Sequence, residues 1–202
     1  MTKRERVIEA IKGREPDKIP SCFSLHFPKE IAFGDAAVDA HIRFFEESGT
    51  DILKIMNENL VPPMGSIRHG SDYRLVREMT LEEPFMQDQI LLVKKILERC
   101  DRNAFTLGTL HGITASAIHP LEKINPAATY DEVRQILCRL LREDEKAVLS
   151  GMQRIADVMC CLAREYIRLG VDGVYYAALG GETRFFTDEE FERYIKPFDL
   201  QI

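Results

Sequence analysis

The residues best suited to chemistry in this chain are a carboxylate and three imidazoles, each standing just after an apolar run: Glu58, His26, His111 and His119. Carboxylates and imidazoles hold and move protons near neutral pH and stabilise developing charge, so catalysis of proton transfer is the chemistry these types can carry. Asn57 beside Glu58, Tyr176 in Gly173-Val174-Tyr175-Tyr176-Ala177, and Glu182 after Gly180-Gly181 add polar contacts for a bound small molecule. Glu58, His119 and His111 are therefore the candidate catalytic residues, and His26, Asn57, Tyr176 and Glu182 the candidate substrate contacts. Each has a blander alternative. Glu58 is otherwise a solvated loop carboxylate, His119-Pro120 the end of a helical turn, and one of the two adjacent tyrosines a core residue, because neighbouring strand positions face opposite ways. The Gly180-Gly181 turn has no lysine and no Gly-x-Gly-x-x-Gly spacing, so it is a weak phosphate cradle. His41 and His69 follow no apolar run and are expected at the surface.

These residues need elements to hold them. Thr2 and Glu5 stand at capping-box spacing before Val7, Ile8 and Ile11, a short helix stopped by Gly13 and Pro16. Ile19 to Phe27 is apolar and aromatic, ends at Pro28, and is expected as a first buried strand. Val38, Ile42 and Phe45 form a helical stripe ending at Ser48-Gly49, after which Thr50-Asp51 leads into Ile52-Leu53-Lys54-Ile55-Met56. The same junction recurs where the stripe Ile155 to Leu169 ends at Gly170 and Val171-Asp172 leads into a strand, the chemistry of a short helix-to-strand loop. Between them the pattern predicts a helix from about Phe85 to Arg99, a strand around Ala104 to Leu107, and a helix opened by the Thr129/Glu132 box. A last helix begins at Thr187/Glu190 and runs toward Pro197. Asn57 to Glu83 is the longest irregular stretch, expected as a loop with small inserted elements.

Strand and helix alternate throughout, which predicts an α/β fold with a parallel sheet and helices outside. Four barrel-type strands use nearly all of the 202 residues, whereas a closed eight-stranded barrel takes about 250. The expectation is a single domain, 1–202, forming part of a (β/α)8 barrel, about its first four strand-helix units.

Composition excludes other classes. Hydrophobic residues at 45% and charged residues at 30% suit a packed globular chain rather than disorder. There is no signal-like h-region and no long apolar window, so a cytoplasmic location is expected and a membrane partner is not. A net charge of −6 and no basic run longer than a pair argue against a nucleic-acid partner. The five cysteines lack Cys-x-x-Cys spacing, which suits reduced thiols, and Cys160-Cys161 in a helical stripe is expected to pack rather than bind metal.

The stretch Thr2-Lys3-Arg4-Glu5-Arg6-Val7 through Gly13 to Pro20, the junction Gly49-Thr50-Asp51-Ile52-Leu53-Lys54-Ile55 with Val61-Pro62-Pro63 behind it, Gly170-Val171-Asp172-Gly173, and Phe191 to Pro197 together resemble the uroporphyrinogen decarboxylase family. The likeness runs over the whole chain but spans only the N-terminal half of that family's barrel. It implies decarboxylation of a tetrapyrrole-like or other anionic substrate without a cofactor, with methyl transfer of the corrinoid and coenzyme M type, which uses zinc, as the alternative. On the first, the family's catalytic aspartate falls on Glu58, its active-site tyrosine on His119, and its fourth-strand serine on Ala177. The two arginines expected after the first strand are absent; Leu25-His26-Phe27-Pro28-Lys29-Glu30 holds only Lys29, a point charge where bidentate clamps are needed. On the second, the zinc and corrinoid ligands lie outside this chain, so no metal site is expected within it. The expected partners are a small anionic substrate and either further copies of the chain or a second half-barrel; a non-catalytic truncated fragment is the alternative of another class.

Overall fold

The computed structural model describes residues 1–122, 125 and 127–202. Three strands, β1 (Ile52–Ile55), β2 (Phe105–His111) and β3 (Gly173–Ala177), form one sheet in the order β1-β2-β3. β1 and β2 are parallel, in register from Ile52 opposite Phe105 to Ile55 opposite Gly108. The Asp172 N–H donates to Thr106 O at 3.0 Å and the Gly112 N–H to Ala177 O at 3.0 Å, so β2 and β3 also run the same way. The helices are α1 (Lys3–Ile11), α2 (Gly34–Ser48), α3 (Pro84–Arg99), α4 (Ile113–Glu122), α5 (Tyr130–Glu143), α6 (Glu145–Leu169), α7 (Asp188–Tyr194) and α8 (Lys196–Gln201). The fold is α/β, with the parallel sheet and flanking helices of part of a (β/α) barrel. Among the described residues no helix is long and apolar enough to cross a membrane.

The chain divides into two compact units interleaved along the sequence: Met1–Glu58, Gln87–Leu110 and Arg164–Tyr175 in the first, and Asn59–Met86, His111–Ala163 and Tyr176–Ile202 in the second. In the first unit, Val38, Leu53, Ile55, Val93, Ile96 and Tyr166 are fully or almost fully buried. Gly108 lies under Tyr166, where an added Cβ would come within 2.6 Å of the ring. In the second, Tyr73, Ile113, Leu137, Leu140, Met152 and Ile155 form the core.

All three capping boxes form: Thr2 with Glu5, Thr129 with Glu132, and Thr187 with Glu190. The last helix breaks at Ile195 into α7 and α8, where Pro197 sits in the new first turn. Gly49 (φ 63°) ends α2 and Gly170 (φ 98°) follows α6, both left-handed as the two helix-to-strand junctions require. The aspartates after them do matching work. Asp51 accepts from the Ser21 N–H at 3.0 Å and pairs with Arg6; Asp172 accepts from the Thr106 N–H at 2.9 Å and from Arg4 Nη1 at 2.7 Å. One helix, α1, thus supplies the cation for both junctions.

The segment expected as the first strand forms no ladder. Ser21 O accepts the Asp51 and Ile52 N–H groups, but no strand extends from there. Pro20 has no N–H to give, and Ile19 (89% exposed), Phe23 (60%) and Leu25 (41%) are uncovered, whereas a central parallel strand needs both faces buried. The sheet therefore has three strands among the described residues rather than four. The long irregular stretch does carry a small inserted element, a 3-10 turn at Gly70–Leu75. Helix α4, which holds His119 and Pro120 internally, was not visible as a periodic pattern because nearly all its residues are apolar or small and buried.

Candidate functional site

In the first unit the site is built from the end of β1. Leu53 and Ile55 are buried while Lys54 points the other way, as strand alternation demands. The chain then leaves through Met56, Asn57 and Glu58, and two buried side chains grip it. His41 of α2 accepts the Met56 N–H at its Nε2 (2.9 Å), and Gln89 of α3 donates from Nε2 to Met56 O (3.2 Å). His41 Nδ1 donates to Ala37 O at 2.7 Å, so the ring is neutral with its proton on Nδ1. Burial holds the His41 pKa below its ordinary value against the opposing pull of the Ala37 carbonyl and of Glu58. His41 is 4% exposed, which corrects the expectation of a surface residue; an imidazole at i+4 from a helical carbonyl can turn inward when a backbone N–H awaits it. His69 is exposed, with Nδ1 2.9 Å from Glu143 Oε1.

Phe27 packs edge-on against the His41 ring, centroids 4.8 Å apart. Its neighbour His26 thereby reaches Glu58, His26 Nδ1 lying 2.6 Å from Glu58 Oε1. The imidazole is largely exposed and the carboxylate about one-fifth exposed. Asn57, between the clamp and the carboxylate, is buried at 3% exposure. Three of the expected site residues, His26, Asn57 and Glu58, therefore meet in one place, on two segments anchored to one buried histidine.

Lys54 was not singled out from the sequence. Its Nζ sits 3.6 Å from the centroid of the Tyr175 ring and 2.5 Å from Ser24 Oγ. Burial lowers its pKa. The available signal is a lysine alternating with Leu53 and Ile55 in an otherwise apolar strand, which marks a cation on the sheet face opposite those two buried side chains.

In the second unit His111 ends β2 and His119 lies in α4, their ring centroids 5.1 Å apart and nearly perpendicular. His119 is 5% exposed. Tyr176 packs over Gly112, where an added Cβ would stand 3.0 Å from its hydroxyl oxygen, and its hydroxyl donates to Asp199 Oδ1 of α8. Asp199 also accepts from the Ile113 backbone, and burial raises its pKa despite both bonds. The hydroxyl of Tyr176 is thus committed inside the unit, and it is Tyr175 that meets Lys54 on the sheet. Glu182 is committed as well: its Oε1 accepts from Arg134 Nη1 and its Oε2 from the Gly180 N–H, each at 2.9 Å. It fastens the turn at Gly180, whose φ of 99° and 2.4 Å approach of a notional Cβ to Thr114 Oγ1 leave room for glycine alone. The strand-end position Ala177 carries no hydroxyl.

All five cysteines are free thiols, and Cys138 is buried, its pKa pushed up to about 11 by desolvation. Among the described residues no group of three or more His, Cys, Asp or Glu side chains is arranged to hold a metal ion.

No family model matches this chain, and no curated protein matches it. Among solved structures the chain is similar to a methyltransferase from Methanosarcina mazei, with a TM-score of 0.66 and 13% sequence identity over 98% of this chain. It spans 65% of that protein's length, and at this identity the likeness is one of fold.

Proposed function

We propose that this chain is part of a (β/α)-barrel enzyme that transfers a methyl group, with Glu58 as the proton acceptor. The observation that carries the reading is the Glu58–His26 pair, held at the end of a parallel strand by the His41 and Gln89 clamp, in a fold shared with a methyltransferase. Transfer to a thiol forms a carbon–sulfur bond as the donor's bond to the methyl carbon breaks, its electron pair staying on the donor. The thiol's proton passes to the Glu58 carboxylate, and the His26 N–H steadies that carboxylate beforehand. Zinc and a corrinoid, which the family resemblance attaches to this chemistry, find no ligand set among the described residues, so no step is derived through them.

Tetrapyrrole decarboxylation is the weaker reading. A polycarboxylate substrate calls for arginine forks, and the groups gathered at Glu58 are imidazole and amide side chains, with Lys54 engaged by Tyr175 and Ser24. The discriminating experiment supplies methylcobalamin with a thiol, and uroporphyrinogen in parallel, and follows thioether and carbon dioxide. Thioether formed by the wild-type chain and lost in Glu58→Gln supports the proposal. Carbon dioxide without thioether overturns it.

The apolar side chains of Ile19, Phe23 and Leu25, 41 to 89% exposed, favour a second reading. On that reading further polypeptide covers this face, as another copy or a second half-barrel, and the chain by itself does not catalyse. Light scattering on a size-exclusion column tests it; a monomer that melts cooperatively counts against it.

A further inference from the structure

We propose that the cleft between the 3-10 turn at Gly70–Leu75 and the first turns of α6 is a binding site for a phosphate group. The cleft has a volume of about 340 Å³ and is lined by Ser71, Arg74, Asp144, Lys146, Ser150 and Arg154. Lys146, Ser150 and Arg154 follow one another at four-residue spacing, so α6 presents them along one stripe. Arg74 comes from the opposite wall.

Three cations line this cleft against one carboxylate, Asp144. Arg74 uses its Nε on Ser71 O (2.6 Å) and Arg154 one Nη on Val76 O (3.0 Å), which fixes both guanidinium planes while leaving their other N–H groups for a ligand. Among the described residues none of Arg74, Lys146 and Arg154 forms a salt bridge, although most other arginines do. Three of the carboxylates that flank the cleft are engaged elsewhere. Glu143 pairs with Arg139 and His69, Glu145 with Arg193 and the Tyr194 hydroxyl, and Asp72 with the Arg68 and His69 amides. Asp144 accepts from the Ala147 N–H at the start of α6. In a chain of net charge −6, three cations against one carboxylate make this concavity a local positive patch that attracts an anion.

The walls are preformed. A Cβ at Gly70 would stand 2.6 Å from Leu140 O, and one at Gly151 2.8 Å from the Tyr73 ring, so the turn sits against the α5–α6 junction at backbone distance. The fully buried Tyr73 donates to Ala117 O at 2.7 Å and locks the turn from beneath. Two guanidiniums, one ammonium and two serine hydroxyls exceed what a single carboxylate accepts and match the four oxygens of a tetrahedral oxyanion; the N-terminal end of α6 adds to the same potential.

The test is titration of the intact chain with inorganic phosphate at constant ionic strength, followed by backbone amide shifts, with chloride as the control. Shifts concentrated at residues 70–76 and 144–154, absent with chloride, are expected. Lys146→Gln, which removes no bond within the protein, weakens binding about tenfold, and Arg154→Gln about as much. Should Arg154→Gln loosen the turn, Lys146→Glu provides the same reading from an exposed position, with folding checked by its melting curve. Phosphate affinity unchanged in folded Lys146→Gln and Lys146→Glu, or shifts centred on other residues, overturns the proposal.

Discussion

The imidazole of His41 accepts the backbone N–H of Met56 at 2.9 Å, a buried bond between a helix side chain and the last turn of chain before Asn57 and Glu58. Because Phe27 leans on the same ring, one neutral histidine positions both halves of the His26–Glu58 pair. A protonated His41 would present an N–H to the Met56 N–H, so the bond exists only while the ring is neutral.

Burial lowers the His41 pKa in the folded chain, so the unfolded chain binds more protons as pH falls. The stability His41 contributes is full above its ordinary pKa of about 6.5 and declines as pH drops below it. Urea unfolding at several pH values from about 7.5 to 5 should show this decline in the wild type. His41→Phe should remove that part of the pH dependence and cost about 1–3 kcal/mol at neutral pH, through the orphaned Met56 N–H. A decline of equal steepness in the variant would mean that other groups govern it.

Arg6 is the cation for the fully buried Asp51 and also bonds Asp17, from Nε to Oδ1 at 2.6 Å. Arg6→Met should destabilise by about 3–5 kcal/mol, since it strands a buried carboxylate. Burial tends to raise the Asp51 pKa, but the Ser21 amide and Arg6 outweigh it and the net shift is downward. That contribution is therefore present above the ordinary aspartate range and lost as pH falls below it; chemical denaturation of both proteins at neutral and strongly acid pH should show the gap closing in acid.

Gly108→Ala places a methyl within 2.6 Å of the buried Tyr166 ring, whose hydroxyl is tied to Thr109 O at 3.0 Å and cannot swing away without losing that bond. Overpacking of about 1–3 kcal/mol is expected, read as a lower melting temperature with little change in circular dichroism.

Glu58→Gln keeps the shape of the side chain, and the pair it breaks is open to solvent on the histidine side. Stability should move by no more than about 1 kcal/mol. Thioether formation should fall about a hundredfold or more if Glu58 accepts the proton. Melting temperature and rate measured on the same sample separate the two effects.

Much of this fold is legible in the sequence. The capping boxes at Thr2, Thr129 and Thr187, the glycine-ended junctions at Gly49 and Gly170, and strands at Ile52, Phe105 and Gly173 are local features, fixed by hydrogen-bond geometry and backbone sterics over a few residues. Glu58 is legible as a residue just past a strand; His26 is expected at the end of a strand that does not form, yet the structure brings it within 2.6 Å of Glu58. The apolar stretch from Ile19 misled because apolarity alone does not make a strand; a ladder needs a neighbour with N–H and C=O groups in step, and composition carries no record of that. Contacts between residues far apart in the chain decided the rest. His41 turned inward because an N–H fifteen positions along needed an acceptor, Tyr176 was drawn to Asp199, Glu182 to Arg134, and Arg4 and Arg6 to two aspartates far along the chain. The sequence by itself determined the three capped helix starts and the two glycine-ended junctions, since those choices are made within one turn of backbone; only the tertiary structure decided which apolar stretch pairs as a strand and which polar groups are buried together, because that depends on which distant partner arrives to satisfy them.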